Sequence, residues 1–203
     1  MIHPHTEIRF ISETVGHGVV ATQFIPAGTI TWALDKLDRD FTPADFDKLD
    51  PLYQTILETY TYRNKAGNLV LCWDNGRFVN HSFKSNCIST AYDFEVAVRD
   101  IYPGEELTDD YGYLNVTSPF TAIDEGTERK TVYPDDLLHF SKEWDAKVNA
   151  VFSKITQIKQ PLKNLISEEV WLEINDIIAG RLQMRSIAEN YFDSQKVETS
   201  STR

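Results

Sequence analysis

The chain has 203 residues, 41% of them hydrophobic and 12% aromatic, enough for one domain with a real core and a helical extension, and no apolar run nears the ~20 residues that span a bilayer. Its net charge of −11 argues against nucleic acid as the main partner, which needs a basic surface; it suits a basic target drawn in by steering, although an acidic protein with no such role would look the same. Two cysteines, Cys72 and Cys87, are too few for a disulfide framework or a thiolate zinc site, and the N-terminal Met-Ile-His-Pro-His lacks the basic and apolar regions of a secretory leader, so a cytoplasmic location is expected, with nuclear action or export as an effector left open.

Glu7-Ile-Arg-Phe-Ile11 alternates and predicts a strand. A turn over Thr14–Gly18 leads to a second strand, Val19–Ile25, and Pro26-Ala-Gly28 turns the chain into a third at Thr29–Ala33. Gly16 and Gly18 suit a backbone that comes close to a ligand or takes positive φ, though a lone Gly-x-Gly most often makes only a hairpin. Residues 35–50 carry six Asp against Lys36, Arg39 and Lys48. There Thr42 followed by Pro43 reads as a helix N-cap and first helical position, with a short helix running toward Leu49. Pro51 starts another with Tyr53, Ile56, Leu57 and Tyr60. Tyr62–Asn68 is a loop, Leu69–Trp73 a buried strand, and Cys87–Ile101 two strands joined by a turn near Asp93. Many short strands with turn signals give a mainly β fold.

Beyond Tyr113 the period changes. Leu137, Phe140, Trp144, Val148, Val151, Ile155 and Ile158 recur at helical spacing from Pro134 until Pro161 interrupts. Ser167 caps a second helix with Val170, Trp171, Ile174, Ile177 and Ile178 inward, Gly180 weakens it, and a third stretch offers Leu182, Ile187, Tyr191 and Phe192. The organisation expected is a domain over residues 6–113 with a helical insert at about 40–62, a helical C-terminal region over 114–193, and a disordered tail over 194–203.

Polar side chains concentrate in two segments. Asn75-Gly-Arg-Phe-Val-Asn-His-Ser-Phe-Lys-Ser-Asn86 sets Asn80, His81, Ser82 and Asn86 around Phe78-Val79, and each needs a partner if buried, at a cost of about 1–3 kcal/mol when it has none. Pro103-Gly-Glu-Glu-Leu-Thr-Asp-Asp-Tyr-Gly-Tyr113 turns into a short strand that ends aromatic–glycine–aromatic. In this order, after Gly16-His-Gly-Val19 and Ile25-Pro-Ala-Gly-Thr29, the two resemble the paired signature of the SET-domain protein lysine methyltransferases: Arg-Phe-x-Asn-His-Ser-Cys-x-x-Asn and Gly-Glu-Glu-Leu-Thr-x-Asp-Tyr-Gly. The resemblance runs from Glu7 to Tyr113. It implies a β-clip fold of small curved sheets with a knot-like threading, too rare to be proposed from pattern alone. It also implies S-adenosyl-L-methionine as methyl donor, a lysine-containing and basic protein as substrate, and a groove-shaping role for residues 40–62, which read equally well as a solvated helical face.

Methyl transfer to lysine needs a neutral amine, and with a pKa near 10.4 only about one in 2,500 is neutral at pH 7, a cost of roughly 4.6 kcal/mol. The resemblance makes Tyr111 the catalytic phenol, neutral at pH 7 and so able to orient without a full charge. It gives Gly16, His17, Gly18, Val19, Asn80 and His81, with Tyr111, to the cofactor. Tyr113, Tyr62 and Asp109 fall at the lysine channel, while Arg77, Ser82, Asn86 and Glu106 support the loops.

Several positions depart from the family pattern. Phe83 stands for its cysteine and Ser85 for its proline, and no Cys-x-Cys follows Tyr113, so the zinc-bound flap is missing. A segment from Phe120 to Trp144, with Phe120, Tyr133 and Phe140 as candidates, is expected to close the cofactor site instead. Asp109 sits where relatives often have an aromatic; it either attracts the lysine ammonium, raising its pKa, or faces solvent or a basic side chain. Two other readings stand beside the enzyme: a SET-like module that holds cofactor or a basic partner without turnover, and an acid–base or metal site from Asp109, Asp110 and His81. The last is weakened because adjacent strand residues point to opposite faces.

Overall fold

The computed structural model describes residues 1–193; the tail expected over 194–203 lies outside the described residues. The chain runs through β1 (Thr6–Ser12), β2 (Gly16–Ala21), β3 (Ile30–Ala33), β4 (Arg39–Phe41), α1 (Pro43–Phe46), α2 (Pro51–Tyr60), β5 (Thr61–Arg63) and β6 (Leu69–Leu71). It continues through β7 (Asn80–His81), β8 (Cys87–Ser89), β9 (Phe94–Ala97), β10 (Thr108–Asp109), β11 (Phe120–Thr121), β12 (Thr131–Val132), α3 (Asp136–Phe152) and α4 (Glu168–Ile178). The strands form small sheets: β1-β2, β3-β9-β8, β4-β6-β5, β11-β12, and a parallel pair of β7 with β10. Thr108 lies opposite Asn80 and Asp109 opposite His81.

Local chemistry sets the boundaries. Thr42 accepts from the Asp45 amide at 3.1 Å and Pro43 occupies the first helical position, but α1 stops at Phe46 rather than reaching Leu49. Asp93, at the turn between β8 and β9, takes φ 58, a conformation that Asp tolerates better than most residues. Ser167 caps α4 as expected. Gly180, at φ 72, supplies the left-handed residue that closes the helix end, and the third stretch makes only a single tight turn at Ile187–Asn190.

One core joins the strands to the C-terminal helices. Ile30, Ile88, Phe94 and Val96 from the β3-β9-β8 sheet pack with Leu137, Trp144, Val148, Val151 and Phe152 of α3 and with Ile174 of α4. Gln160 clamps this junction while fully satisfied. Its Nε2 donates to the carbonyls of Gly28 and Ile155, both at 2.9 Å, and its Oε1 accepts from the Ile30 amide at 2.9 Å. A buried amide that finds every partner fixes one geometry, because any slip would leave a polar group unpaired. The helical insert is bound less tightly: of its predicted inward residues only Leu57 is buried, and Tyr53 and Ile56 are exposed.

Candidate functional site

The parallel β7–β10 pair draws the two polar segments together. Ser82 N–H donates to the Asp109 carbonyl at 2.7 Å. Asn86 locks the crossing: its Nδ2 donates to the Glu106 carbonyl at 2.8 Å and its Oδ1 accepts from the Thr108 amide at 2.9 Å. Tyr111 follows directly, and its amide donates to His81 Nδ1 at 3.1 Å. Its hydroxyl donates to the Val79 carbonyl at 2.7 Å. Burial, helped by the nearby Asp109 carboxyl, pushes this phenol's pKa up, so it is neutral at physiological pH.

Around His81 a niche forms. Its ring meets Phe83, Tyr111 and Phe120 with centroids at 4.5, 5.4 and 5.6 Å. Burial lowers the imidazole pKa, which keeps the ring neutral. Since Nδ1 accepts the Tyr111 amide, the ring hydrogen sits on Nε2, and that buried nitrogen has no partner among the described residues. Asn80 Nδ2 donates to the His17 carbonyl at 3.0 Å and to Glu106 Oε1 at 2.7 Å, tying the β1-β2 hairpin to the same place. Gly18 is needed there for close approach rather than for positive φ: a Cβ would lie 2.7 Å from Asn80 Nδ2 and closer still to Glu106 Oε1. Of the three aromatics expected to close this side, Phe120 reaches it. Phe140 instead lies beneath the Arg129 guanidinium and tilted against Trp144, and Tyr133 is 48% exposed.

Tyr111 also lines a cavity of about 1000 Å³, bordered by Tyr62, Glu95, Asp109 and Tyr113 together with residues of the insert and of the 114–120 stretch. Gly16, His17, Gly18, Val19, Asn80 and His81 are not on its wall. Tyr62 is half-buried, edge-on to Trp32 at 5.9 Å. Tyr113 borders the cavity, but its hydroxyl is spent internally: it donates to the Cys87 carbonyl at 3.0 Å and accepts from the Asp110 amide at 3.0 Å. Its ring packs edge-on against Trp144 at 5.2 Å. Asp109 neither faces solvent nor meets a basic side chain; it is 5% exposed beside Glu95. Asp110 points away toward Arg129, so Asp109, Asp110 and His81 do not converge on one point.

Three groups that sequence reasoning passed over complete the site. Arg129 bonds Asp110 and Asp136, each at 2.5 Å, and lies over the rings of Phe83 and Phe140 at 4.6 and 4.3 Å. Glu125 accepts from Ser82 Oγ at 2.7 Å and from the Phe83 amide at 2.8 Å, holding the segment that follows His81. Glu95 is 7% exposed within a strand that reads as simply apolar. An acidic residue in the middle of a buried strand is a signal that a stricter reading of Phe94-Glu-Val-Ala97 would have caught.

Tyr111 and Phe120 therefore belong both to the ring cluster around His81 and to the cavity wall. The SET domain family model matches residues 16–112, and the chain is a member of that family over this span. SET domains are in general protein lysine methyltransferases that use S-adenosylmethionine. No curated protein matches the chain.

Proposed function

We propose, proceeding from a SET domain at residues 16–112, that the protein transfers a methyl group from S-adenosylmethionine to a lysine side chain of a protein substrate. The observation that carries this reading is that Tyr111 packs in the ring cluster around His81 and also lines the cavity. An in-line displacement needs donor and acceptor to approach a common point from opposite sides, and holding both in register can supply several kcal/mol. The parallel ladder of Asn80–His81 with Thr108–Asp109 supports the family's threading for this chain as well.

The niche fits the cofactor. An unspent Nε2–H on His81, three aromatic rings around it and the close backbone at Gly18 suit a flat heterocycle with hydrogen-bond acceptors. Gly16, His17, Gly18, Val19, Asn80 and His81 would hold it, with Phe120 as cover in place of a zinc-bound flap. When bound, the cofactor supplies an electrophilic methyl on a sulfonium. Gly18→Ala is expected to weaken its binding at least tenfold by calorimetry, because the methyl must displace the Asn80 or Glu106 side chain; unchanged affinity would remove the hairpin from the site.

On the cavity side Tyr62 and Tyr111 would flank the target side chain and exclude water. Incubation with labelled cofactor and a lysine-rich protein mixture is expected to give label on lysine, located by mass spectrometry. Uptake of cofactor with no labelled lysine would instead favour the binding-module reading.

A further inference from the structure

The cavity wall carries two carboxyls that no basic side chain of the protein pairs. Glu95 and Asp109 lie side by side on its wall, on β9 and β10, 7% and 5% exposed. The other buried carboxylates near the site are paired: Asp110 and Asp136 share Arg129. Among the described residues no Lys, Arg or His stands within ion-pair distance of Glu95 or Asp109. Ser89 donates to Glu95 Oε1 at 3.1 Å, but Asp109 Oδ1 is buried without a partner. Trp32 Nε1, on the same wall, is also buried and unpartnered. Burial, and then the neighbouring Glu95, raises the pKa of Asp109 well above the usual carboxylate range, and burial raises that of Glu95. Two adjacent buried carboxyls with no cation to share disfavour a second ionisation.

A buried charge without a counter-ion is costly and persists in a fold only where something offsets it. A cation small enough to enter the cavity, with N–H donors for the open Asp109 oxygen, would offset it. It can arrive on the substrate or on the cofactor, and the wall favours the substrate, since it includes none of Gly16, His17, Gly18, Val19, Asn80 and His81.

We propose that Glu95 and Asp109 form the receptor for the ammonium end of the incoming side chain, so that the protein selects a cationic, N–H-bearing amine where related domains carry an aromatic wall. This rests on the reading that the cavity is the target side of a methyltransferase, and it gives that side a charge requirement. The free pair is a strained arrangement kept for binding, a trade of stability for function.

The test uses the full chain without cofactor and n-butylammonium as the mimic of a lysine end. At about ten times its Kd it is expected to raise the melting temperature by roughly 3–5 °C. N-butylacetamide and tetramethylammonium, lacking the charge or the N–H groups, should raise it by under a third as much. Glu95→Gln with Asp109→Asn should abolish the n-butylammonium shift and melt at or above the wild-type temperature, and Asp109→Asn alone should at least halve the shift. Equal shifts from all three probes, or a shift that survives in the double variant, would overturn the proposal. A double variant that melts far below wild type would also overturn it, making the pair structural. If S-adenosylmethionine binding fell in the variants while the amine shift stayed, the pair would belong to the cofactor. Loss of lysine labelling by the wild type, with the amine shift intact, would sink the methyltransferase reading and leave this receptor standing.

Discussion

Arg129→Ala should lower the unfolding free energy by about 3–5 kcal/mol, the cost of leaving buried charges unpaired. Two carboxylates depend on this one guanidinium, Asp110 and Asp136, each 1% exposed. Each keeps a single backbone donor, the Gly112 and Tyr133 amides at 3.0 Å, which is not enough to hold a buried anion. The three rings around Arg129 would lose their packing partner as well. Against a typical total of 5–15 kcal/mol such a loss leaves little margin, and urea titration would show it as a lower midpoint with an unchanged slope. Arg129→Lys restores one charge without the fork that bridges two carboxylates, so it should recover only part of the loss. A drop below about 1 kcal/mol for the alanine variant would mean that Asp110 and Asp136 find other partners.

Tyr111→Phe is the variant with the largest expected effect on turnover. Its hydroxyl is fixed by the Val79 carbonyl, its ring by His81 and Phe120, and the phenol is held neutral by burial. Removing a preorganised polar group from a water-excluded site costs on the order of 10²–10³-fold in kcat. Cofactor affinity should change only a few-fold, because the ring and its amide contact to His81 remain. The Val79 carbonyl loses its donor, about 1–3 kcal/mol if nothing replaces it, so the melting curve must be recorded beside the rate. Activity within threefold of wild type would show that the hydroxyl only braces the loop.

Much of this site could be read before any coordinates. The Asn-His-Ser and Asp-Tyr-Gly segments signal themselves by composition, and their convergence through β7 and β10 follows the resemblance they carry. Thr42-Pro43 and Ser167 marked helix starts because capping is local chemistry within four residues. What escaped was decided by partners distant in the chain. Arg129 looks like any loop cation until it meets Asp110 and Asp136. Tyr113 lines the cavity, but nothing in its motif announces that its hydroxyl is claimed by the Cys87 carbonyl 26 residues away. Asp109 was recognised as unusual, yet its environment could not be guessed, since nothing near it in sequence announces Glu95. Helix α2 shows the reverse error: its apolar spacing was real, and tertiary packing left most of that face in solvent.

The clamp made by Gln160 and the mixed core behind it change how the chain is to be divided. The recognisable signature stops near Gly112, yet the sheet that backs it is upholstered by side chains from α3 and α4, and Asp110 borrows its counter-ion from Arg129. The inherited motif and the physical unit that folds are thus of different lengths. Swapping the helices for those of a distant relative would reach Ile30 and Phe94 through steric mismatch even if every signature letter were kept, so the two halves of this chain are bound to drift together.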